Sequence, residues 1–170
     1  MESLLGNWSA QLTVLATTAF AMLLGGAIGV ERELKNRPAG FRTHMLVCGA
    51  AALLVGTGDL LAEHFSDQHY RELIHLDPLR LIEAVIAAVG FLGAGAIFRR
   101  GSGGSVAGLT TAASLLMVAT IGICAGLHNY IVALGATVLT LAVLLVLAWV
   151  ERRGGTLEGR DGDEEPDRKR

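Results

Sequence analysis

The chain has 170 residues, of which 52% are hydrophobic and only 18% are charged. Its mean hydropathy is +0.50, and charge is nearly absent from several stretches long enough to cross a hydrocarbon core, which takes about 20 helical residues. A soluble core of this size would carry charges along every helix, so the composition excludes an ordinary soluble domain. The net charge of −2 decides little, because the charges are sorted by loop. We expect a lipid bilayer, and no nucleic acid, among the partners.

Five apolar segments in chain order predict an all-α membrane protein, a compact bundle of about five transmembrane helices. They cover residues 11–30, 43–62, 79–98, 109–127 and 130–150. Residues 1–10 form a short N-terminal segment before this transmembrane domain of residues 11–150. Residues 151–170 are polar and rich in glycine, which predicts a disordered tail.

The distribution of lysine and arginine orients the predicted bundle. Two basic residues, Arg71 and Arg80, lie in the long loop between the second and third spans, among several acidic residues. The other side of the membrane carries Arg32, Lys35, Arg37, Arg42, Arg99, Arg100, Arg152 and Arg153. Because short cytoplasmic loops carry the excess of basic residues, we expect the N-terminus outside and the C-terminus in the cytoplasm.

The loop after the first span mixes both signs of charge. Glu31 and Arg32 directly follow an apolar helix, so they lie at the membrane boundary. We expect Glu31 to reach Arg32, Arg37 or Arg42 across the short loop and to form a paired functional site. Thr43 is a plausible N-cap of the second span. The alternative is topological anchoring, for which the basic residues alone would suffice.

Glycine residues form the second organising pattern. Small residues let helix backbones approach closely in a bilayer, where lipid supplies no hydrophobic drive for helices to pack. We therefore predict close helix contacts at Gly25, Gly29, Gly90, Gly93, Gly95, Gly122 and Gly126. These glycines lack the strand–turn–helix context of a dinucleotide-binding loop.

Further polar residues lie near the span ends. Thr110 and Thr111 begin the fourth span, where their hydroxyls can cap the helix or bond to a neighbouring span. On the other side are the carboxylates of Asp59, Glu63, Asp77 and Glu83 and the imidazoles of His64, His69 and His75. They could hold a divalent cation or sense protons, but a solvated acidic loop is the favoured interpretation, because no metal-binding spacing is present. Whether the chain binds a metal stays open.

Three strings in order resemble the MgtC/SapB family of bacterial inner-membrane proteins. They are GGAIGVERELKNRPAGFRTHMLVCGAA, DPLRLIEAVIAAVGFLGAGAI and GLTTAAS. The resemblance runs from about residue 20 to 150. It implies a multi-pass bundle in the plasma membrane, associated with growth at low magnesium, with survival inside host cells and, for some members, with restraint of the F-type ATP synthase.

The resemblance also implies which residues carry the family motifs. They are Glu31, Arg32, Arg37, Gly40, Arg42 and Thr43, then Asp77, Arg80, Gly90, Phe91, Gly93 and Gly95 with Glu83 beside them, and then Gly108, Leu109, Thr110 and Thr111. The chain departs from the family pattern at Ala87, Ala88 and Leu116. We also expect it to lack the soluble C-terminal domain of longer members.

Two classes of function remain open. The first is a regulatory membrane protein that binds another membrane complex, with the ATP synthase as the leading partner, and that itself forms a homo-oligomer in some settings. The second is a small Mg²⁺ or proton transporter, in which Glu31, Glu83 and neighbouring hydroxyls line a path. An inverted repeat would favour transport, and none is clear in five spans. An enzyme and a bound cofactor are not expected, because no nucleophile with a base partner and no cofactor loop is present.

Overall fold

The computed structural model describes residues 8–64, 77–99 and 106–154. Five long helices make up most of these residues: α1 (Trp8–Leu34), α2 (Phe41–His64), α3 (Pro78–Ala96), α4 (Leu109–Gly126) and α5 (Tyr130–Gly154). A short antiparallel hairpin of β1 (Phe98–Arg99) and β2 (Val106–Ala107) joins α3 to α4, with Phe98 opposite Ala107. The predicted all-α membrane fold is therefore confirmed.

Four of these helices are long and apolar enough to cross a bilayer, over Trp8–Leu34, Phe41–Ala62, Leu79–Ala96 and Leu109–Gly126. The apolar part of α5 is shorter, Tyr130–Val146, although the helix itself continues to Gly154, beyond the predicted end at residue 150. Helix α3 ends two residues earlier than predicted, because Phe98 belongs to the hairpin. Residues 1–7 of the predicted N-terminal segment, residues 65–76 of the predicted outer loop, Arg100 and residues 155–170 of the predicted tail lie outside the described residues.

The helices suit a bilayer because they satisfy their polar groups internally. Threonine hydroxyls within the spans donate to the backbone carbonyl four residues earlier, as in the bonds from Thr18 to Val14, from Thr120 to Leu116 and from Thr137 to Ala133. An unpaired hydroxyl in hydrocarbon would be costly, so this local bond lets threonine occur in a membrane helix.

Helices α1, α2 and α4 form the centre of the bundle, with α3 and α5 at its sides. Small side chains and branched side chains fill this centre, among them Ala21, Ile28, Cys48, Val118 and Ile121, all of which have no exposed surface. Large apolar side chains cover the outside instead, including Leu23, Phe91 and Ile131. In water such a surface would aggregate, whereas in a bilayer it faces lipid.

Only some of the predicted glycine contacts exist. A Cβ atom built at Gly25 would lie 2.5 Å from the carbonyl oxygen of His44, and one at Gly29 would lie 2.7 Å from the Cα of Phe41, so α1 and α2 touch through these positions. A Cβ atom at Gly93 would make an ordinary contact of 3.4 Å with Ala112 of α4.

Gly90 and Gly95 differ from this prediction. A Cβ atom at either position would have no heavy atom within 4 Å. Both lie on sides of α3 that no neighbouring helix covers, since α3 packs mainly against α4. Gly122 and Gly126 of α4, in contrast, lie directly against α2.

Candidate functional site: buried charges at the end of α1

The end of α1 brings charged residues inside the bundle. Asn36 adopts a left-handed conformation with a φ of 51°, its N–H donates to the carbonyl of Glu33 at 2.9 Å, and the N–H of Arg37 donates to the carbonyl of Arg32 at 3.1 Å. This pair of bonds is a Schellman C-cap, and Pro38 follows it, as is common. Because the helix continues one turn past the predicted boundary at residue 30, Glu31 and Arg32 lie on its packed face. We call this end of the bundle, which holds the α1–α2 loop, the basic end.

Arg32 is the most deeply placed charge at the basic end, with 2% of its surface exposed. Its Nη2 atom donates to the hydroxyl oxygen of Thr111 at 3.1 Å, so the guanidinium joins α1 to the first turn of α4. Its Nε atom is buried and has no hydrogen-bond partner among the described residues. Thr111 therefore bonds to a neighbouring span, one of the two roles anticipated for it, whereas Thr110 is exposed.

Glu31 is 7% exposed and forms a salt bridge with Lys35, one helical turn later. The Nζ atom of Lys35 also donates to the carbonyl of Leu144 at 3.1 Å, which connects α1 to α5. The other carboxylate oxygen of Glu31, Oε2, is buried without a hydrogen-bond partner in the part of the chain that the structure describes. The expected partners were different, since Arg37 and Arg42 are both exposed. The partner of Glu31 is instead Lys35, a residue that topological anchoring alone would have explained.

His44 is a member of this cluster that sequence reasoning missed. It is fully buried in the first turn of α2, where its Nδ1 lies 2.9 Å from the carbonyl oxygen of Gly40 and its Nε2 lies 3.0 Å from the hydroxyl of Ser114. Ser114 in turn donates to the carbonyl of Thr111 at 2.9 Å. The sequence signal that could have identified this bond is a polar residue about one turn inside each of two apolar helices, His44 in α2 and Ser114 in α4. Ser114 also follows Thr111 by three residues.

One chain of bonds, from Arg32 through Thr111 and Ser114 to His44, joins α1, α4 and α2, and the salt bridge between Glu31 and Lys35 is its neighbour at the end of α1. We call Glu31, Arg32, Lys35, His44, Thr111 and Ser114 the buried polar cluster. Ionisable groups inside a membrane bundle are costly unless they are paired, so their presence marks either a site of function or a junction that fixes helix positions. The buried polar cluster contains one carboxylate, one guanidinium, one amine and one imidazole beside two hydroxyls, all able to donate or accept hydrogen bonds.

The start of α2 is capped from α1 rather than by its own side chain. The Oε2 atom of Glu33 accepts a hydrogen bond from the backbone N–H of Phe41 at 2.7 Å. Thr43, the predicted N-cap, lies two residues inside the helix and is exposed. The prediction was wrong because α2 begins at Phe41, two residues before Thr43. The acceptor for the N–H of Phe41 is therefore Glu33 of α1.

The charged residues of the second motif lie at the other end of the bundle. Asp77 is the N-cap of α3 and accepts a hydrogen bond from the N–H of Leu79 at 3.0 Å, and Pro78 occupies the first turn. Arg80 lies 4.0 Å from Asp77, with 84% of its side chain exposed, and such an exposed pair contributes little to stability. Glu83 is also exposed. The structure therefore does not join these residues to the buried polar cluster.

The third motif contains a position that only glycine fits well. Gly108 precedes α4 with a φ of +91°, and a Cβ atom there would collide with the carbonyl oxygen of Ala96. Gly108 lets the chain turn from the hairpin into α4 directly beside the end of α3. This turn places Thr111 within hydrogen-bond distance of Arg32. No group of three His, Cys, Asp or Glu side chains capable of holding a metal ion occurs within residues 8–64, 77–99 and 106–154.

Comparison with known proteins extends this picture. The MgtC family model matches residues 18–153. The chain is similar to protein SapB of Bacillus subtilis, with 36% identity over 149 residues that cover 88% of this chain and 62% of that protein. It is also similar to the "Putative magnesium transporter YhiD" of Escherichia coli K12, with 38% identity over 74% of this chain and 56% of that protein.

A third relative is protein MgtC of Brucella abortus strain 2308, with 37% identity over 82% of this chain and 53% of that protein. The chain thus spans less than two thirds of the length of these relatives. No solved structure matches it.

Proposed function

Because the chain belongs to the MgtC family, we propose that it is a regulatory protein of the bacterial inner membrane, linked to magnesium limitation, that acts by binding another membrane complex. The names of two relatives, protein MgtC and a magnesium transporter described as putative, support the connection with magnesium. Catalysis is not part of the proposal, and the F-type ATP synthase is the partner that the family resemblance suggests.

The observation that carries this proposal is the uncovered surface of α3. Only 17% of its most apolar window is buried, against 56% for α4. A Cβ atom built at Gly90 would meet no heavy atom of a neighbouring element within 4 Å and Phe91 is 81% exposed, so a small residue and a large aromatic residue follow each other on the outside of the bundle. In a bilayer, transmembrane helices associate through close backbone approach at small residues. This surface of α3 therefore suits contact with a helix of another protein.

Substitution of this surface tests the proposal. Gly90→Leu should reduce the amount of ATP synthase that co-purifies with the tagged chain from cells grown at low magnesium, because a bulky side chain prevents close approach. Gly135→Leu on α5 is the matched control, since Gly135 also has no neighbour within 4 Å. Equal recovery of ATP synthase with both variants, at equal membrane abundance, would contradict binding through α3.

A second candidate function, cation transport, is favoured by the buried polar cluster. The Oε2 atom of Glu31 and the Nε atom of Arg32 are buried without hydrogen-bond partners in the described part of the chain, and an intramembrane ionisable residue is by default a candidate for an ion path. Purified protein in proteoliposomes distinguishes the two functions. Magnesium flux above that of protein-free liposomes, abolished by Glu31→Gln, would favour transport over regulation.

Growth at low magnesium then tests whether the charge pair matters for either function. The sequence alone predicts that Glu31→Gln impairs growth at low magnesium more than Lys35→Gln does. The structure makes Lys35 the partner of Glu31, so both variants should impair growth. Arg80→Gln, at an exposed position at the other end of the bundle, is the appropriate control with the same change of net charge as Lys35→Gln. Equal growth of all three variants would reduce the cluster to a topological anchor.

A further inference from the structure

A groove lies at the basic end, between the last turns of α3 and the loop that joins α1 to α2. It encloses about 370 Å³ and is lined mainly by apolar groups, with Thr43 as the polar exception. Phe91 forms one side. The other lining residues that matter here are Pro38, Ala39, Leu92, Gly95 and Leu115. Because the groove runs from the interhelical loop onto the last turns of α3, a helix long and apolar enough to cross a bilayer, we expect it to cross the boundary between headgroups and hydrocarbon.

The groove is open to the membrane. A Cβ atom at Gly95 would meet nothing within 4 Å, and Phe91 is largely exposed. Leu115 and Ala39, with 3% and 6% of their surfaces exposed, close the back. A concave, apolar surface of this kind in a bilayer is filled by hydrocarbon, and its shape suits one flexible chain better than a polar solute.

Two arginines that are chain neighbours of lining residues have no carboxylate partner within the described residues. Arg37 precedes the lining residue Pro38, Arg42 precedes the lining residue Thr43, and both arginines are exposed. Neither forms a salt bridge within the described residues. The nearby carboxylate of Glu33 is already used, because it accepts the hydrogen bond from the N–H of Phe41. The chain that lines this end of the groove therefore carries two exposed arginines as well as the hydroxyl of Thr43.

We propose that this groove binds an anionic phospholipid, with one acyl chain along Phe91 and Gly95 and the headgroup phosphate held by Arg37, Arg42 and the hydroxyl of Thr43. Arginine pairs with phosphate through two parallel hydrogen bonds, and basic pockets between helices at the cytoplasmic side recognise anionic headgroups. A zwitterionic lipid offers the same chain but also a positive group, which the two arginines repel. The lipid site shares Phe91 with the partner-binding surface around Gly90, so the lipid test and the partner test use different glycines, Gly95 and Gly90.

Lipid retention by the purified full-length chain tests the acyl-chain part of this site. In native mass spectrometry, the protein in detergent should retain added phosphatidylglycerol several-fold more than phosphatidylcholine. Gly95→Leu should remove this preference by filling the groove, and Gly135→Leu should keep it. Both glycines have open space around them, so neither change should prevent folding. Equal retention of phosphatidylglycerol by the two variants would overturn the proposal.

The headgroup part is tested by charge. The combined change Arg37→Gln and Arg42→Gln should lower phosphatidylglycerol retention several-fold while leaving phosphatidylcholine retention unchanged. Arg80→Gln, at an exposed position at the other end of the bundle, is the control and should behave as the unmodified chain. Equal losses of both lipids would show that no headgroup is recognised. If Gly95→Leu altered the oligomeric state and left lipid retention unchanged, a second copy of the chain would occupy the groove, and the proposal would be wrong.

Discussion

Among the glycines inside helices, Gly122, at the contact between α2 and α4, should be the one least tolerant of a single added methyl group. A Cβ atom there would collide with the carbonyl oxygen of Cys48 and would lie 2.9 Å from the Cβ of Ala51. The obstacle is largely backbone, which cannot rotate away as the end of a flexible side chain can. Gly122→Ala therefore forces the two central helices apart.

The magnitude follows from comparison with an open glycine. Replacing glycine by alanine inside a helix gains about 1 kcal/mol from helix propensity, and this gain is common to Gly122→Ala and Gly135→Ala. Only Gly122→Ala adds the cost of overpacking, about 1 to 3 kcal/mol. The difference between the two variants should therefore be about 1 to 3 kcal/mol in the free energy of unfolding, with Gly122→Ala the less stable.

Unfolding of the purified variants in mixed micelles measures this difference. For a chain of this size each kcal/mol corresponds to about 2 to 4 °C in Tm. Membrane abundance provides a second measurement if Gly122→Ala accumulates poorly. Gly122→Ala and Gly135→Ala of equal stability would refute the close approach of α2 and α4 at this position.

Three further predictions concern the cluster, α3 and the orientation. Thr111→Val should lower the free energy of unfolding by about 1.5 to 3 kcal/mol, because it removes the acceptor of a buried guanidinium. Thr110→Val, at an exposed position, should change the free energy of unfolding little. Equal effects of the two variants in chemical unfolding would count against the bond between Arg32 and Thr111. Gly93→Leu should lower membrane abundance through its contact with Ala112 of α4, and normal abundance with normal thermal unfolding would argue against that interface. Impermeant thiol reagents applied to intact cells should label Arg80→Cys but not Arg37→Cys, with the natural cysteines as the background, and external labelling at position 37 would reverse the predicted orientation.

The sequence by itself determined the fold class and the family. Helices that cross a bilayer need long apolar segments, because an exposed backbone cannot be satisfied in hydrocarbon, so the number and order of the helices can be read from the chain. It also identified the region around Glu31 and Arg32 as a dense charged site, because charges at a span boundary stand out against an apolar background.

Only the tertiary structure decided which groups meet. The apolar pattern ends at Val30, but the helix continues to Leu34, and this extra turn places Lys35 beside Glu31. Hydropathy reports which side chains prefer an apolar environment, and it does not report which backbone groups form helical hydrogen bonds. It therefore cannot show that the helix continues past Val30. The bond between His44 and Ser114 joins residues 70 positions apart, which depends on how α2 packs against α4.

The glycines show the same division. A small residue permits a close contact, but whether a contact forms depends on which neighbouring helix covers that face. Gly25 and Gly122 lie against α2. Gly90 and Gly95 also occur in apolar helices, but they remain uncovered because α3 packs at the side of the bundle. Sequence sets what each position allows, and the arrangement of neighbours, fixed by the packing of all the helices together, sets which of these possibilities the protein uses.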